Sequence, residues 1–313
     1  MGRYLVTRLV NAGYSADIVS RKKYWSSDET AKVRMISADL GNPYWLELAE
    51  INLNQYDVIY HLAYAIHSDE KYNYAVTVDS VRILIDGLSR ISDGRKRHFV
   101  YAGSMVVFGV SSPQRAITEN HPHNANSMYA QNKLAATRLA MSPPDGVIST
   151  VLHPTAVYAE TSPRIAKYRK LLTYNYVPSV NNLGVNNIIY ADDFALALLQ
   201  CLDRPLDNVA EEYIINGESI QFYDWFSHLS STVRKKSWVV LPAFTSYVCR
   251  GAIRRLLNSF HIGCPVYFQS ARVTPLTQTS TFSSAKASRD FSFKAKTLFS
   301  EVCNRLAESA DVS

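Results

Sequence analysis

Tyr129 and Lys133 stand four residues apart in the segment SMYAQNKLAATRLAM, whose pattern predicts a helix. On a helix, positions i and i+4 lie on one face, so the phenol and the ammonium would point into the same space. Ser104 follows the short apolar run RHFVYAG, which predicts a β-strand. A strand end at this place could bring the Ser104 hydroxyl to the other two groups.

These three residue types suit hydride transfer between an alcohol and a nicotinamide, because that reaction needs a group that exchanges a proton with the substrate oxygen. A free phenol, with a pKa of about 10, is a poor base at neutral pH. A lysine ammonium and an oxidised nicotinamide would favour the phenolate and lower the phenol's pKa. The Ser104 hydroxyl would hold the substrate oxygen in line. We therefore predict that Ser104, Tyr129 and Lys133 are catalytic.

The Tyr-x-x-x-Lys pair alone is weak support for this chemistry. With 20 tyrosines in the chain, about one such match is expected by chance if lysine fills ~5% of positions. An exposed helical turn with a solvated lysine is the alternative interpretation. The strand-end serine upstream, in a chain of alternating strands and helices, favours the catalytic one.

Four segments resemble the extended short-chain dehydrogenase/reductase family, the NAD-dependent epimerase/dehydratase group. They follow the family's order and separations: YAGSMVVFG (101–109), YAQNK (129–133), LHPTAVY (152–158) and IIYADDFALAL (188–198). The resemblance covers nearly the whole chain and implies an NAD(P)-dependent oxidoreductase, epimerase or dehydratase. It also implies that Tyr129 is the acid/base, that Lys133 lowers its pKa and binds the nicotinamide ribose, and that Ser104 orients the substrate oxygen.

The alternation of strands and helices predicts an α/β fold, a Rossmann-like doubly wound parallel sheet with helices on both faces. We expect a dinucleotide-binding domain over residues 1–155 and a smaller, mainly substrate-binding part over 156–313, with 187–216 returning to the sheet. The chain starts at the helix that normally follows the first strand and its glycine-rich turn. We therefore expect the first strand to be missing, and we favour an absent leader of roughly ten residues over a truncated product.

The resemblance implies a set of dinucleotide contacts. Gly2 resembles the last fingerprint glycine, and Asp39 resembles the family aspartate that contacts the adenine, although a turn residue would look the same. Arg21, at the end of a predicted strand, suits a 2′-phosphate, so we favour NADP over NAD, with a plain surface cation as the alternative. The full set of expected cofactor-binding residues is Gly2, Arg21, Asp39, Leu62, Ala63, Lys133 and Pro154.

Two positions depart from the family's pattern. Thr77 falls where the family usually has an asparagine that helps to organise the proton path. His153, in the segment LHP, stands where an arginine is common. Both departures reduce the expected catalytic efficiency and leave the Ser/Tyr/Lys set in place.

The sequence is consistent with three functions. A nucleotide-activated sugar needs cationic partners for its diphosphate. A predicted helix carries four such side chains: Arg164, Lys167, Arg169 and Lys170. The alternative interpretation is that these side chains form a solvated basic face. A 3β-hydroxysteroid-dehydrogenase-like enzyme is suggested by the apolar segment 238–249 and by PVYFQSARVTPLT. A truncated, non-catalytic dinucleotide-binding protein would explain the missing strand. Retention of the catalytic trio favours an enzyme, and we favour the sugar.

Composition excludes several other classes. The net charge of +6 comes without a dense basic run, so no nucleic-acid partner is expected. The four cysteines form no C-x-x-C pair, which speaks against a metal site and fits a reducing cytoplasm. No apolar run approaches ~18 residues, so no membrane span is expected, although residues 238–262 could form a basic surface helix that contacts a membrane. The default partner is a second copy of the chain, paired through helices 71–92 and 125–141.

Overall fold

The computed structural model describes most of the chain in eight ranges: 1–22, 32–109, 116–172, 178–180, 184–205, 207–233, 239–241 and 280–311. Within these ranges, strands alternate with helices as the sequence pattern predicts. The strands are β1 (Ala16–Ser20), β2 (Val33–Ser37), β3 (Val58–His61), β4 (Arg97–Ala102), β5 (Val147–Pro154), β6 (Ala156–Tyr158), β7 (Pro178–Val180), β8 (Val185–Tyr190), β9 (Ala210–Ile215), β10 (Glu218–Gln221) and β11 (Val239–Leu241).

The helices of the described ranges alternate with these strands. They are α1 (Gly2–Asn11), α2 (Trp45–Leu48), α3 (Glu70–Tyr74), α4 (Ser80–Ser89), α5 (Met128–Ala140), α6 (Pro163–Leu172), α7 (Ala191–Gln200), α8 (Phe222–Ser230), α9 (Ala285–Phe291) and α10 (Phe299–Asp311). A π-helical segment, Ala75–Asp79, joins α3 to α4, so the helix predicted over 71–92 is continuous from 70 to 89.

The central sheet is parallel throughout, in the order β3-β4-β5-β9. A second parallel pair, β1-β2, lies outside it. Strand β8 pairs with β6 and β10 in a small mixed sheet, so the segment 187–216 enters the central sheet through β9 alone. Strands β7 and β11 form a further short parallel pair.

Strand β4 shows that both faces of the central sheet are covered. Every residue of this strand is buried. Val100 and Ala102 pack in the core cluster that includes residues of α1, α7 and α9, whereas Phe99 and Tyr101 pack with residues of α4 and α5. Because successive strand residues point to opposite faces, helices must lie on both sides of the sheet. This arrangement is the doubly wound α/β fold that the sequence predicts.

Asp192 and Asp193, at the start of α7, bind other elements of the chain. Both lie in the first turn of the helix, and neither side chain caps it. Asp192 instead accepts two hydrogen bonds from the Arg8 guanidinium, at 2.8 and 2.7 Å. Asp193 is buried and accepts the backbone amides of Lys296 and Thr297. The two carboxylates therefore join α7 to α1 and to the segment before α10.

The basic apolar segment at 238–262 lies outside the described residues except for β11 at 239–241. The membrane-contact hypothesis for that segment stays a prediction. Among the helices that the structure describes, none combines the length and the apolar character needed to cross a membrane.

Candidate active site

The carboxyl ends of three parallel strands lie side by side at one edge of the central sheet. His61 at the end of β3 is level with Tyr101 in β4, and Ala102 is level with Leu152 in β5. The segments that follow these strands therefore leave the sheet at the same edge. In open parallel sheets, ligands bind in the crevice outside this edge.

Ser104 follows β4 and begins a short turn at this edge. Its backbone is extended, and its hydroxyl accepts the Val106 amide at 3.5 Å as the cap of the 3₁₀ turn Met105–Phe108. Its own amide donates to Nδ1 of His153 at 3.2 Å. The serine is thus held by its backbone at the strand end while its side chain faces α5.

Tyr129 and Lys133 project from the first turns of α5 toward the same place. Ser127 caps this helix by accepting the Ala130 amide at 3.2 Å. The Ser104 hydroxyl lies close enough to the phenol of Tyr129 to lower its pKa. The Lys133 ammonium donates to the carbonyl of Ala102 at 2.7 Å, two residues before Ser104. The structure therefore brings the three predicted catalytic residues together.

Burial controls the ionisation of the two groups on α5. It raises the pKa of Tyr129 to about 12, and the nearby Ser104 only partly opposes that rise. The sequence predicts that Lys133 lowers this pKa, but in the protein alone desolvation of the phenol dominates. Lys133 is 2% exposed, and desolvation of its ammonium lowers the pKa of Lys133 to about 7. The lysine is therefore only partly charged at neutral pH and has a weak effect on the phenol.

Tyr64 completes the surface above the trio, and the sequence analysis missed it. Its ring meets the Tyr129 ring edge-to-face, with 6.0 Å between centroids. The Lys133 ammonium lies 5.6 Å from the Tyr64 ring centroid and 4.9 Å from that of Tyr101. Tyr64 is 45% exposed, so it borders solvent while it contacts both groups of α5. Its position directly after His61-Leu62-Ala63 was the available signal.

His61 is a histidine packed at the end of β3. It is buried, and its Nε2 lies 2.8 Å from the Ser80 hydroxyl. That hydroxyl donates to the Val76 carbonyl at 2.6 Å, so it must accept from His61. Burial, aided by the charge of Lys133, lowers the pKa of His61 to about 3. The ring is therefore neutral, and it packs beneath the site without taking part in proton transfer.

Arg21 and Asp39, predicted to contact opposite parts of an adenosine, meet at a third residue that the sequence analysis missed. The Tyr72 hydroxyl donates to Asp39 at 2.8 Å and accepts from Arg21 at 2.6 Å. The Arg21 guanidinium also lies over the Tyr72 ring, 5.5 Å from its centroid. Gly41 permits this arrangement, because a Cβ there would lie 2.4 Å from the ring. We call Arg21, Asp39 and Tyr72 the arginine–tyrosine cluster.

The remaining predicted cofactor residues occupy three different settings. Gly2 is exposed at the start of α1, and open space surrounds the position of a Cβ. Leu62 and Ala63 follow β3, half-buried, with Leu62 packed on the core beneath α1 and α7. Pro154 is buried as the last residue of β5, level with Ile215 of β9. These placements are all at helix or strand ends.

His123, His153 and Glu212 form a cluster behind Ser104 whose donor atoms could in principle hold a metal ion, since all lie within 4.8 Å of one another. The Nδ1 atom of His153, however, accepts the Ser104 amide. A neutral histidine that binds a metal through Nε2 carries its proton on Nδ1 and would oppose that amide. The hydrogen-bonding pattern around His153 therefore disfavours a metal site.

A profile of the family described as "NAD dependent epimerase/dehydratase family" matches residues 1–216. This match spans more than half of the 313 residues, and it agrees with the Rossmann-like sheet and the Ser/Tyr/Lys cluster. The chain therefore belongs to the NAD-dependent epimerase/dehydratase family and is an NAD-dependent enzyme. A search of curated proteins found no match to it.

Solved structures of similar fold cover almost the full length of the chain. MoeE5 in complex with UDP-glucuronic acid and NAD is 18% identical, with a TM-score of 0.73, and the match covers 99% of this chain and 95% of that one. A UDP-glucose 4-epimerase with UDP-glucose from Thermotoga maritima is 15% identical, with a TM-score of 0.73, and the match covers 99% of this chain and 95% of that one. A dTDP-glucose 4,6-dehydratase with NAD from Bacillus anthracis is 14% identical, with a TM-score of 0.72, and the match covers 100% of this chain and 93% of that one. At these identities the similarity establishes the fold.

Proposed function

We propose that this protein is an NAD(P)-dependent epimerase, dehydratase or reductase that acts on a nucleotide-activated sugar. The observation that carries the proposal is the convergence of Ser104 and Tyr129 beside the buried Lys133 at the carboxyl edge of a parallel sheet. When bound, the nicotinamide supplies hydride acceptance and donation. The protein groups described below handle the proton and the orientation.

Tyr129 is the acid/base of the proposed reaction. Its phenol oxygen takes the proton of a substrate hydroxyl when that carbon is oxidised, and returns the proton on reduction. The Ser104 hydroxyl, which lowers the pKa of the phenol, stabilises the phenolate and lies within reach of the same substrate oxygen. Tyr64, against the ring of Tyr129, limits access of water from the exposed side.

Lys133 fits the proposed cofactor contact. Its described hydrogen bond to Ala102 uses one of three ammonium protons, so donors remain for ribose hydroxyls. A negative charge or a hydroxyl that accepts a hydrogen bond from the ammonium favours its protonated form, which in turn lowers the pKa of the neighbouring phenol. Cofactor binding would therefore lower the raised pKa of Tyr129, which is what its proposed role as a base requires.

We infer that the cofactor is NADP rather than NAD, on the basis of Arg21. Its guanidinium is exposed near the end of β1 and is held by Tyr72 in the arginine–tyrosine cluster. A fixed guanidinium is well suited to a 2′-phosphate. Asp39 in the same cluster is the counter-argument, since a carboxylate repels a phosphate, and NAD is the cofactor named for two of the similar structures above.

The sugar assignment is supported by the UDP-sugars named for two similar structures. Of the basic residues proposed for the diphosphate, Lys167 is exposed on α6, whereas Arg169 donates to the Thr232 carbonyl at 3.1 Å. Lys167 is therefore the better of these two candidates. The segments that suggested a sterol, 238–249 and 265–277, lie outside the described residues apart from 239–241.

We propose a cytoplasmic homodimer as the working form. The helix pair that we expect at the dimer interface runs over 70–89 and 128–140. It exposes Tyr74 and Met128 at 39% and 52%. The free, buried Cys201 and Cys303 are in keeping with a reducing compartment.

The variant Tyr129→Phe tests the proposed reaction. With NAD⁺ or NADP⁺ and a panel of UDP-glucose, UDP-glucuronic acid and dTDP-glucose, we expect turnover to fall by about 10²–10⁴-fold, since general acid/base catalysis contributes that much. Cofactor affinity, measured by nucleotide fluorescence, should stay within about twofold. The matched control is Tyr44→Phe, at a tyrosine that is 66% exposed. Full activity in the Tyr129 variant would refute the role.

A further inference from the structure

His153 is the most constrained group outside the catalytic trio. Its side chain is 0% exposed, at the end of β5. Gly103 lets the ring lie directly against the end of β4, because a Cβ at Gly103 would be 2.5 Å from Nδ1. The same Nδ1 accepts the amide of Ser104, the next residue, at 3.2 Å. The imidazole therefore fills the space behind the turn that carries the serine.

These contacts define the tautomer of His153. A backbone N–H can only donate, so Nδ1 must hold a lone pair and the proton of the neutral ring must be on Nε2. Nε2 lies 2.9 Å from Oε2 of Glu212, a carboxylate that accepts such a proton. Burial would raise the pKa of Glu212, but the bond to His153 and the nearby His123 and Lys286 hold that pKa below its usual value. The chain of donors thus runs from Ser104 to His153 to an anionic Glu212.

Three further groups surround the path from Ser104 through His153 to Glu212. His123 lies 3.3 Å from the same Oε2 atom, and burial lowers the pKa of His123. Phe108 packs edge-on against His153, with 5.2 Å between centroids. On the far side of Glu212, Lys286 donates to the Glu212 carbonyl at 2.9 Å. A second proton on His153 would have to displace the Ser104 amide from Nδ1.

We propose that His153, locked by Glu212, is a positioning residue that holds the Ser104 turn so that the serine hydroxyl meets Tyr129. This proposal rests on the proposed function, because it assigns His153 an effect on turnover through Ser104. The imidazole itself touches neither the phenol nor Lys133 among the described contacts. A displaced serine would still fold into the turn but would lose its alignment with the substrate oxygen, and a displacement of about 1 Å at such a site can cost a hundredfold in rate.

The tautomer can be tested without any substrate. In protein labelled with nitrogen-15 histidine, His153 should show a lone-pair shift at Nδ1 and a protonated shift at Nε2, with the signals assigned from their loss in His153→Asn. A proton on Nδ1, or a ring doubly protonated at neutral pH, would overturn the proposal whatever the enzyme's substrate is.

Two substitutions separate the two ends of the ring. In His153→Asn the carboxamide oxygen occupies the Nδ1 position, so the acceptor for the Ser104 amide remains and turnover should stay within about threefold. In His153→Gln the longer chain can reach Glu212 but offers no acceptor at Nδ1, so kcat should fall about tenfold or more, with cofactor affinity unchanged. Equal loss in both variants would contradict the assignment.

The matched control is His98→Asn. His98 is another buried histidine of the central sheet, on β4, with its Nε2 2.7 Å from the Thr150 hydroxyl. It lies at the opposite end of the strand from Ser104. We expect this variant to lose stability to urea, as the His153 variants do, while it keeps its kcat. A comparable fall in kcat would mean that loss of sheet packing alone explains the His153 result.

The decisive measurement is a double-mutant cycle of His153→Gln with Ser104→Ala, using the panel of nucleotide sugars above. If His153 acts through Ser104, the double variant should be no slower than Ser104→Ala alone. Multiplied losses would overturn the inference and leave the proposed function in place. If Ser104→Ala itself were fully active, the proposed function of the trio would fail, a result that is distinguishable from failure of the His153 inference.

Discussion

Replacing Lys133 with methionine should make the protein more stable and inactive. Burial lowers the pKa of Lys133 from 10.5 to about 7, and at about 1.4 kcal/mol per pKa unit this corresponds to a cost of roughly 5 kcal/mol for keeping the charged form folded. Methionine removes the charge and keeps the stem. It also leaves the Ala102 carbonyl without its donor, at a cost of about 1–2 kcal/mol. The net gain should be roughly 3 kcal/mol at pH 6.

The pH dependence of this gain follows from the protons bound in each state. Below pH 7 the folded and unfolded lysines are both protonated, so the full cost is present. Between about pH 7 and 10.5 the folded state has released its proton while the unfolded state retains it, and the wild type gains stability as the pH rises. The advantage of Lys133→Met should therefore shrink by roughly 2–3 kcal/mol between pH 6 and pH 9.

Urea unfolding followed by tryptophan fluorescence measures this difference, and the four tryptophans of the chain provide the signal. The control is Lys167→Met, at an exposed lysine of α6, which should leave the urea midpoint unchanged at both pH values. Turnover should fall in the Lys133 variant, and cofactor affinity should fall in that variant and not in the control. A variant that is less stable than the wild type at pH 6, by an amount that does not change with pH, would show that the ammonium is not held at a desolvation cost.

Two further predictions concern arginines in opposite settings. Arg21→Ala should weaken NADPH binding by about tenfold or more and leave NADH within about twofold, because only the 2′-phosphate needs the guanidinium; titration by nucleotide fluorescence checks this, and equal effects on both nucleotides would remove the argument for NADP. Arg204→Lys should lower the free energy of unfolding by about 2–4 kcal/mol, since an ammonium cannot replace a buried guanidinium that donates to the oxygens of Ser149, Thr150, Pro205, Asn208 and Val209. An unchanged urea midpoint for this variant would mean that water satisfies those oxygens.

The meeting of Ser104, Tyr129 and Lys133 could be predicted because it depends on local regularities. A helical repeat fixes the relation of Tyr129 to Lys133, and a buried parallel strand fixes the edge at which Ser104 emerges. The same regularities gave the alternating strands and the coverage of both sheet faces. Each of these is a property of a continuous stretch of sequence.

The groups that the sequence did not reveal come together from separate elements. Tyr72 joins Arg21 to Asp39 from a helix about thirty residues further along the chain, and nothing in its local pattern indicates this. The raised pKa of Tyr129 could not be predicted from the sequence either, because it depends on how deeply α5 packs. The partners of Asp192 and Asp193 are distant in sequence as well, whereas a helix start alone gives an aspartate a local explanation.

The bond from Lys133 to the Ala102 carbonyl has a consequence for how this part of the chain can change. Lys133 contacts Ala102, and Tyr129 lies beside Ser104. Both contacts can form together only because one helical turn, from Tyr129 to Lys133, has about the same length as two residues of the strand end, from Ala102 to Ser104. Side chains around them can vary, but an inserted or deleted residue in either span would part the hydroxyls by several ångströms, so diversification here should proceed by substitution and leave length changes to the loops beyond.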